Sequence, residues 1–298
     1  MAYNSLEVNE AIQNVGQKYA PKEKLARTIK IIATPKSFQF ATMADALDET
    51  KWQALFEQEA DRGYVLPYFY AVEDASTEAT MEEFTGGDSL EVDKGKYAET
   101  GQMYVSVGDM VKLSSFNNQD FRYFEIDANG NILGTSPDGV VLQGFEATEF
   151  VVGKMNRTAG DVNRKVPLFI KGRDVTEWTD KGVALQPLEL ETNAFDPRDF
   201  DGLTDVELTI VSAIATKIVV KAEAYLKGVL IKGLDQTIDW LVKDGAGAAQ
   251  VITVTDNLDG TYDLDGIGFV SGFTVNLNTP SNLTLDGYES TGAKTITV

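Results

Sequence analysis

The sequence predicts a mainly β protein built from two units, with residues 203–298 forming the second. Three observations carry this. Short runs of β-branched and aromatic residues, separated by turn-forming residues, recur along the chain. The dipeptide Asn129-Gly130 lies between Phe124–Ile126 and Ile132–Leu133, a strong hairpin signal because both turn residues tolerate positive φ. Only one segment, around Trp52, carries a good helical stripe. A chain of 298 residues also exceeds the usual size of a single domain.

Taken in order, Met1 to Lys24 places Leu6, Ala11, Ile12, Val15 and Tyr19 at near-helical spacing, interrupted by Gly16 and Pro21. This predicts a short helix or an arm that orders on a neighbour. Thr28 to Thr34 reads as a strand stopped by Pro35. Asp48 offers an N-cap to a helix that sets Trp52, Leu55 and Phe56 on one side and runs to Arg62-Gly63. Tyr64 to Val72 reads as an edge strand, because Pro67 cannot donate to a ladder. Gln102 to Leu113 alternates through Met103, Val105 and Val107 as a strand would, and Arg122 to Asp127 enters the Asn-Gly hairpin. Val140 to Met155 and Val166 to Lys171 read as further strands. The first unit, residues 1–202, is expected to be an antiparallel barrel or sandwich with a flanking helix.

Asn193 to Leu203 clusters Asp, Pro and Gly and reads as a linker, with the boundary near Asp201 to Asp205. Beyond it, Val206 to Val211, Lys217 to Lys221, Gly228 to Ile231, Val251 to Thr255, Tyr262 to Leu264, Thr274 to Leu277 and Thr295 to Val298 are strand candidates. Seven short strands with turn signals between them predict an immunoglobulin-like sandwich, with Ala222 to Leu226 the one stretch that could be helical.

Composition narrows function. Asp plus Glu number 46 against 26 Lys plus Arg, and the net charge of −20 repels phosphate backbones and anionic lipid. Glu73 to Asp93 carries eight carboxylates and no basic residue, the pattern of a solvated loop or strand face. No stretch approaches the roughly 20 apolar residues that span a bilayer, and no Sec-type signal is recognisable. The chain has no His and no Cys, which removes the commonest general base, the Ser-His-Asp triad, imidazole and thiolate metal sites, and disulfides. Nucleotide-cradling glycine motifs are absent as well. No catalytic, cofactor-binding or metal-ligating residue is expected, and the protein is expected not to be an enzyme.

Two acidic groupings have the composition of calcium loops. Asp127, Asn129 and Asn131 have a suggestive spacing, but Gly130 lies where that loop needs another residue and the distal Glu is missing, so a hairpin turn is the better reading. Asp256, Asn257, Asp259, Asp263 and Asp265 crowd Gly260, a cluster that could bind calcium weakly, while Asp-Gly turn chemistry accounts for the pattern without it. A carboxylate pair of the glycosidase kind is compatible with composition, yet nothing nominates one. Trp52, Trp178 and Trp240 read as packing residues rather than stacking platforms.

Two stretches resemble known families. VTDNLDGTYDLDGIGFVSG, Val254 to Gly272, is similar to the Asp-Gly-Thr-Tyr hairpin of bacterial immunoglobulin-like domains and follows TKIVVKA, Thr216 to Ala222. Residues 1–202 resemble, as a pattern, the tail-tube proteins of tailed bacteriophages. The pattern comprises an early strand, the helix around Trp52, LPYFYAVEDASTEATMEEFTGG, the hairpin RYFEIDANGNILGTSPDG and the late strand VPLFIKGRD. That resemblance implies a tail-tube-like β-barrel or sandwich, a virion subunit assembled in the host cytoplasm, and closure into hexameric rings that stack into a channel. DNA would pass through without specific binding, other virion proteins would be its partners, and no cofactor or membrane would be involved. The alternatives are a capsid, head-decoration or connector protein of the virion, or a bacterial surface adhesion module.

Overall fold

A computed structural model describes residues 3–5, 25–58, 61–84, 89–156 and 164–298. The chain is mainly β and divides into two compact units, Met1–Phe200 and Asp201–Val298.

The first unit contains strands β1 Tyr3–Ser5, β2 Thr28–Pro35, β3 Tyr64–Val65, β4 Phe69–Asp74, β5 Thr80–Glu83, β6 Ser89–Asp93, β7 Ala98–Met103, β8 Phe121–Asp127, β9 Ile132–Thr135, β10 Phe145–Val152, β11 Val166–Gly172 and β12 Gly182–Leu185. Helices α1 Glu49–Glu57, α2 Val107–Leu113 and α3 Thr176–Thr179 interrupt them. Ten strands form one curled sheet, a half-barrel, in the order β1-β12-β9-β8-β10-β11-β7-β4, with β2 on the other edge of β8 and β3 added to β2. Strand β8 is the branch point. One of its edges pairs with β2 from Phe121↔Pro35 to Asp127↔Thr28, while the other is shared, Glu125 and Ile126 going to β9 and Arg122 and Tyr123 to β10.

Successive side chains of a strand point to opposite faces, and at β8 both faces are buried. Phe124 and Ile126 enter a core with Trp52, Leu55 and Phe56, whereas Tyr123 enters a second core with Phe145, Leu168 and Ile170. Helix α1 closes the first core. Asp48 caps it by accepting from the Thr50 amide at 3.0 Å. Trp52 is fully buried, donates Nε1–H to the Ala46 carbonyl at 2.9 Å, and packs its ring 4.6 Å from Phe40 and 5.1 Å from Phe124, centroid to centroid.

Several expectations are corrected. The strand expected over Gln102 to Leu113 ends at Met103, and Val107–Leu113 is helical, because Ser106 caps it by accepting from the Asp109 amide at 3.1 Å. The helix expected to reach Gly63 stops at Glu57, and the Val140 to Met155 strand narrows to Phe145–Val152. Most of the expected linker belongs to the first unit: Phe195, Pro197 and Phe200 are buried, and Phe200 lies 5.6 Å from Trp52. Of the loop or strand face expected for the acidic segment Glu73 to Asp93, the strand alternative holds: it contains the exposed two-stranded β5–β6 sheet. Of the helix or arm expected over Met1 to Lys24, all but β1 lies outside the described residues. β1 itself pairs antiparallel with β12.

The second unit holds β13 Thr204–Ile214, β14 Lys217–Ala224, β15 Trp240–Lys243, β16 Thr253–Asp256, β17 Thr261–Asp265, β18 Thr274–Leu277, β19 Tyr288–Ser290 and β20 Lys294–Thr295. Two sheets, β16-β17-β14-β13-β19 and β15-β18-β20, share one core, which makes the unit a sandwich. Val206, Leu208, Val220 and Tyr262 come from the larger sheet, Trp240, Val242, Val275 and Leu277 from the smaller. The candidate helix at Ala222 to Leu226 is strand to Ala224 and then a turn, with Leu226 and Gly228 at positive φ. Gly228 to Ile231 makes one bridge, Glu223↔Leu230, instead of a strand, while β15 and the parallel partner β19 are additions.

Every residue of the second unit's core lies between Val206 and Ile296. A fragment Asp201–Val298 is therefore expected to unfold cooperatively in urea with a transition reported by Trp240. A broad, non-cooperative melt of the isolated fragment would show that its core is incomplete.

Candidate assembly surface

Strands β4 and β7 form a ladder from Phe69↔Met103 to Asp74↔Glu99. Past its Asp74 end the chain continues as an arm. At the base, the Ala75 amide donates to Ala98 O at 2.9 Å, and Thr77 and Lys96 exchange amide bonds at 2.8 and 3.1 Å. Ser76 Oγ meets both the amide and the carbonyl of Ala98, at 3.1 and 3.2 Å. Gly95 sits at φ +76°, and a Cβ there would meet Thr77 O at 2.2 Å, so the two chains can close only over a glycine.

The arm then forms its own ladder, Thr80↔Asp93 to Glu83↔Ser89. Its apolar side chains have no core to enter: Met81, Phe84, Leu90 and Val92 are 53%, 51%, 58% and 58% exposed, and none belongs to a described core cluster. A two-stranded hairpin is marginal alone in water, and grouped exposed apolar side chains mark an interaction site. Glu82 and Glu83 keep the same hairpin acidic. Among the described residues β7 is the only ladder partner of β4, so the other edge of β4 carries no described strand.

Behind the base of the arm lies a pair of buried acids that sequence reading did not nominate. Glu125 of β8 stands opposite Ile31 and Leu133, and Glu99 of β7 opposite Ile170, so both side chains enter the second core. They are 2% and 6% exposed. Thr28 Oγ1 donates to Glu125 Oε2 at 2.9 Å, but Oε1 of each carboxyl has no hydrogen-bond partner. Burial disfavours the charged form. It raises Glu99 to about 7, helped by the charge of Asp74, and it raises Glu125 well above the usual carboxylate range, helped by the charges of Glu99 and Asp127. Burial likewise raises the hydroxyls of Tyr97 and Tyr123 beside them. The grooves beside Tyr64 and beside Phe38 are lined without either acid.

The two calcium candidates are occupied by turn bonding. Asp127 Oδ1 accepts from the amides of Asn129 and Asn131 at 2.8 and 2.9 Å, and Oδ2 accepts from Ala26 N and Asn131 Nδ2 at 2.8 and 2.7 Å. Gly130 takes the left-handed turn position at φ +81°. In the second unit Asp256 accepts from the Leu258 and Gly233 amides, Asp259 from Thr261, and Asp263 pairs with Lys217 at 2.8 Å. No group of three or more acidic side chains among the described residues is arranged to hold a metal ion. Trp52, Trp178 and Trp240 all pack within their units, Trp178 stacking on Phe145 at 4.5 Å.

No protein-family model matches the chain, and no curated protein matches its sequence.

The acid pair gives stability an unusual pH dependence. A carboxyl raised in the folded state is neutral in both states below its unfolded value of 4.5, and above that pH only the unfolded chain releases its proton readily. Stability is therefore lost as pH rises through about 7, by on the order of 3 kcal/mol for Glu99 alone. Glu99→Gln should be more stable than the parent at pH 8 and nearly equal to it at pH 5 in urea titrations. An equal effect at both pH values would contradict the buried-acid assignment.

Proposed function

We propose that the chain is a structural subunit of a phage particle, a tail-tube protein whose rings, six-fold by the resemblance, stack into a channel for DNA. The carrying observation is the β5–β6 arm, an ordered hairpin that presents four large apolar side chains to solvent and contributes to no described core. Such a device is explained by a neighbouring copy that covers it.

Three further features support the reading. Among the described residues, no strand pairs with the edge of β4 opposite β7, beside the arm. The net charge of −20 suits a wall past which DNA slides without sticking, since attraction to phosphates would create stops. The second unit has its own core, as an immunoglobulin-like module added to a scaffold would.

The test is electron microscopy with sedimentation of the purified chain. Stacked rings with a central channel are expected. Met81→Asp with Leu90→Asp should leave a folded protein that stays monomeric, since it places charge where apolar contact is required. A parent chain that remains monomeric, or a double variant that assembles undiminished, would remove the arm as the assembly element.

A further inference from the structure

The two ends of the β4–β7 ladder carry opposite chemistry. At the Asp74↔Glu99 end is the arm, apolar through Met81, Phe84, Leu90 and Val92, and free of basic residues from Glu73 to Asp93. At the Phe69↔Met103 end, exposed tyrosines interlock: Tyr70 lies 5.8 Å from Tyr68 and 4.3 Å from Tyr104, centroid to centroid. These rings are 39%, 52% and 36% exposed for Tyr68, Tyr70 and Tyr104. Two cations frame them. Arg27 donates to Tyr70 O at 2.8 Å, and the Lys165 ammonium lies 5.5 Å from the centre of the Tyr104 ring. No carboxylate among the described residues pairs with either cation. In a chain with 46 acids and 26 bases, that leaves a cationic aromatic platform on an otherwise acidic protein.

The geometry points to a head-to-tail contact in which the acidic, apolar arm of one copy seats on the Tyr68–Tyr70–Tyr104 platform of the next. The contact rests on the self-assembly reading above and names the surface that receives the arm. Aromatic faces cover aliphatic and Phe side chains, and Arg27 and Lys165 meet Glu82 and Glu83 at the rim. The two surfaces sit at opposite ends of one ladder, which is about 17 Å long at the usual rise per residue, with the arm's apolar side chains lying beyond its Asp74 end. Contact between different surface patches is heterologous: each copy offers one arm and one platform, so the association propagates along an axis instead of stopping at a dimer.

The chain has no cysteine, so single thiols can be placed without background. Full-length Leu90→Cys and Tyr70→Cys variants, prepared separately, are mixed in equal amounts and mildly oxidised, with sedimentation run on the same mixture and unfolding curves on each variant. The mixed Leu90→Cys–Tyr70→Cys disulfide product is expected to exceed either homodimer about tenfold. Adding Arg27→Glu and Lys165→Glu to the Tyr70→Cys chain should cut the yield about tenfold, the scale expected for losing a pair of rim attractions. Glu82→Lys and Glu83→Lys in the arm chain should restore it. An assembled mixture with little mixed product, or with Leu90→Cys homodimer dominant, overturns the platform while leaving self-assembly intact. A mixture that stays monomeric overturns both, and charge reversal without effect in a folded variant overturns the role of Arg27 and Lys165.

Discussion

Burial of β8 on both faces is the constraint on which the first unit depends. An antiparallel strand commonly has one wet face, which absorbs whatever polar residues its alternation brings. Here Phe124 and Ile126 enter one core and Tyr123 the other, so the remaining polar residues of the strand need partners inside the protein. Asp127 finds them in the turn it caps, accepting from Ala26, Asn129 and Asn131. Arg122 finds them in Gly144 O and Glu177, at 2.7 and 3.1 Å. Glu125 is only half satisfied, by Thr28, and escapes a larger penalty by remaining protonated. The burial of Glu125 therefore follows from the branching of the sheet at β8, because a strand with partners on both edges and cores on both faces leaves an acid nowhere to go.

Local chemistry with a short range was legible in the sequence. Asp48 and the Trp52–Leu55–Phe56 stripe located α1, and Asn129-Gly130 located the β8–β9 turn, since each signal is complete within a few residues. The misreading of Val107–Leu113 has the same root. Met103, Val105 and Val107 alternate as a strand would, but only Leu113 of the helix is buried, so its stability comes from the Ser106 cap and not from an apolar stripe that periodicity could detect. The linker reading of Asn193 to Leu203 weighed Asp, Pro and Gly and discounted Phe195 and Phe200, whose burial depends on a core assembled from residues far away in the chain. Glu99 and Glu125 were unreadable for that reason too: in RYFEID, the face shared by Tyr123, Glu125 and Asp127 looks solvated until the second core is known to cover it.

The arm lies between these cases. Its eight-carboxylate run was visible, and so was its resemblance to a long acidic loop, but the hairpin pairing that sets Met81 opposite Glu91 and Leu90 opposite Glu82, with apolar side chains on both faces, was not. Acidic and apolar residues in one exposed hairpin serve different ends. The apolar side chains reward a matched surface, while Glu82 and Glu83 penalise the edge-to-edge pairing that a bare hydrophobic hairpin invites.

Charge then constrains how such a protein can associate at all. Two copies each carrying −20 repel at long range, so a productive contact needs apolar area large enough to outweigh that repulsion, or a local reversal of sign where the contact forms. In the proposed contact the arm would supply the first through Met81, Phe84, Leu90 and Val92, and Arg27 and Lys165 the second at the far end of the same ladder. Glu99 stands at the root of the arm, next to Ala98, which bonds Ser76 at the arm's base. Strand β7 thus joins the core to the arm: it carries Glu99 into the second core of the first unit, and it leads out of β6 at the arm's base.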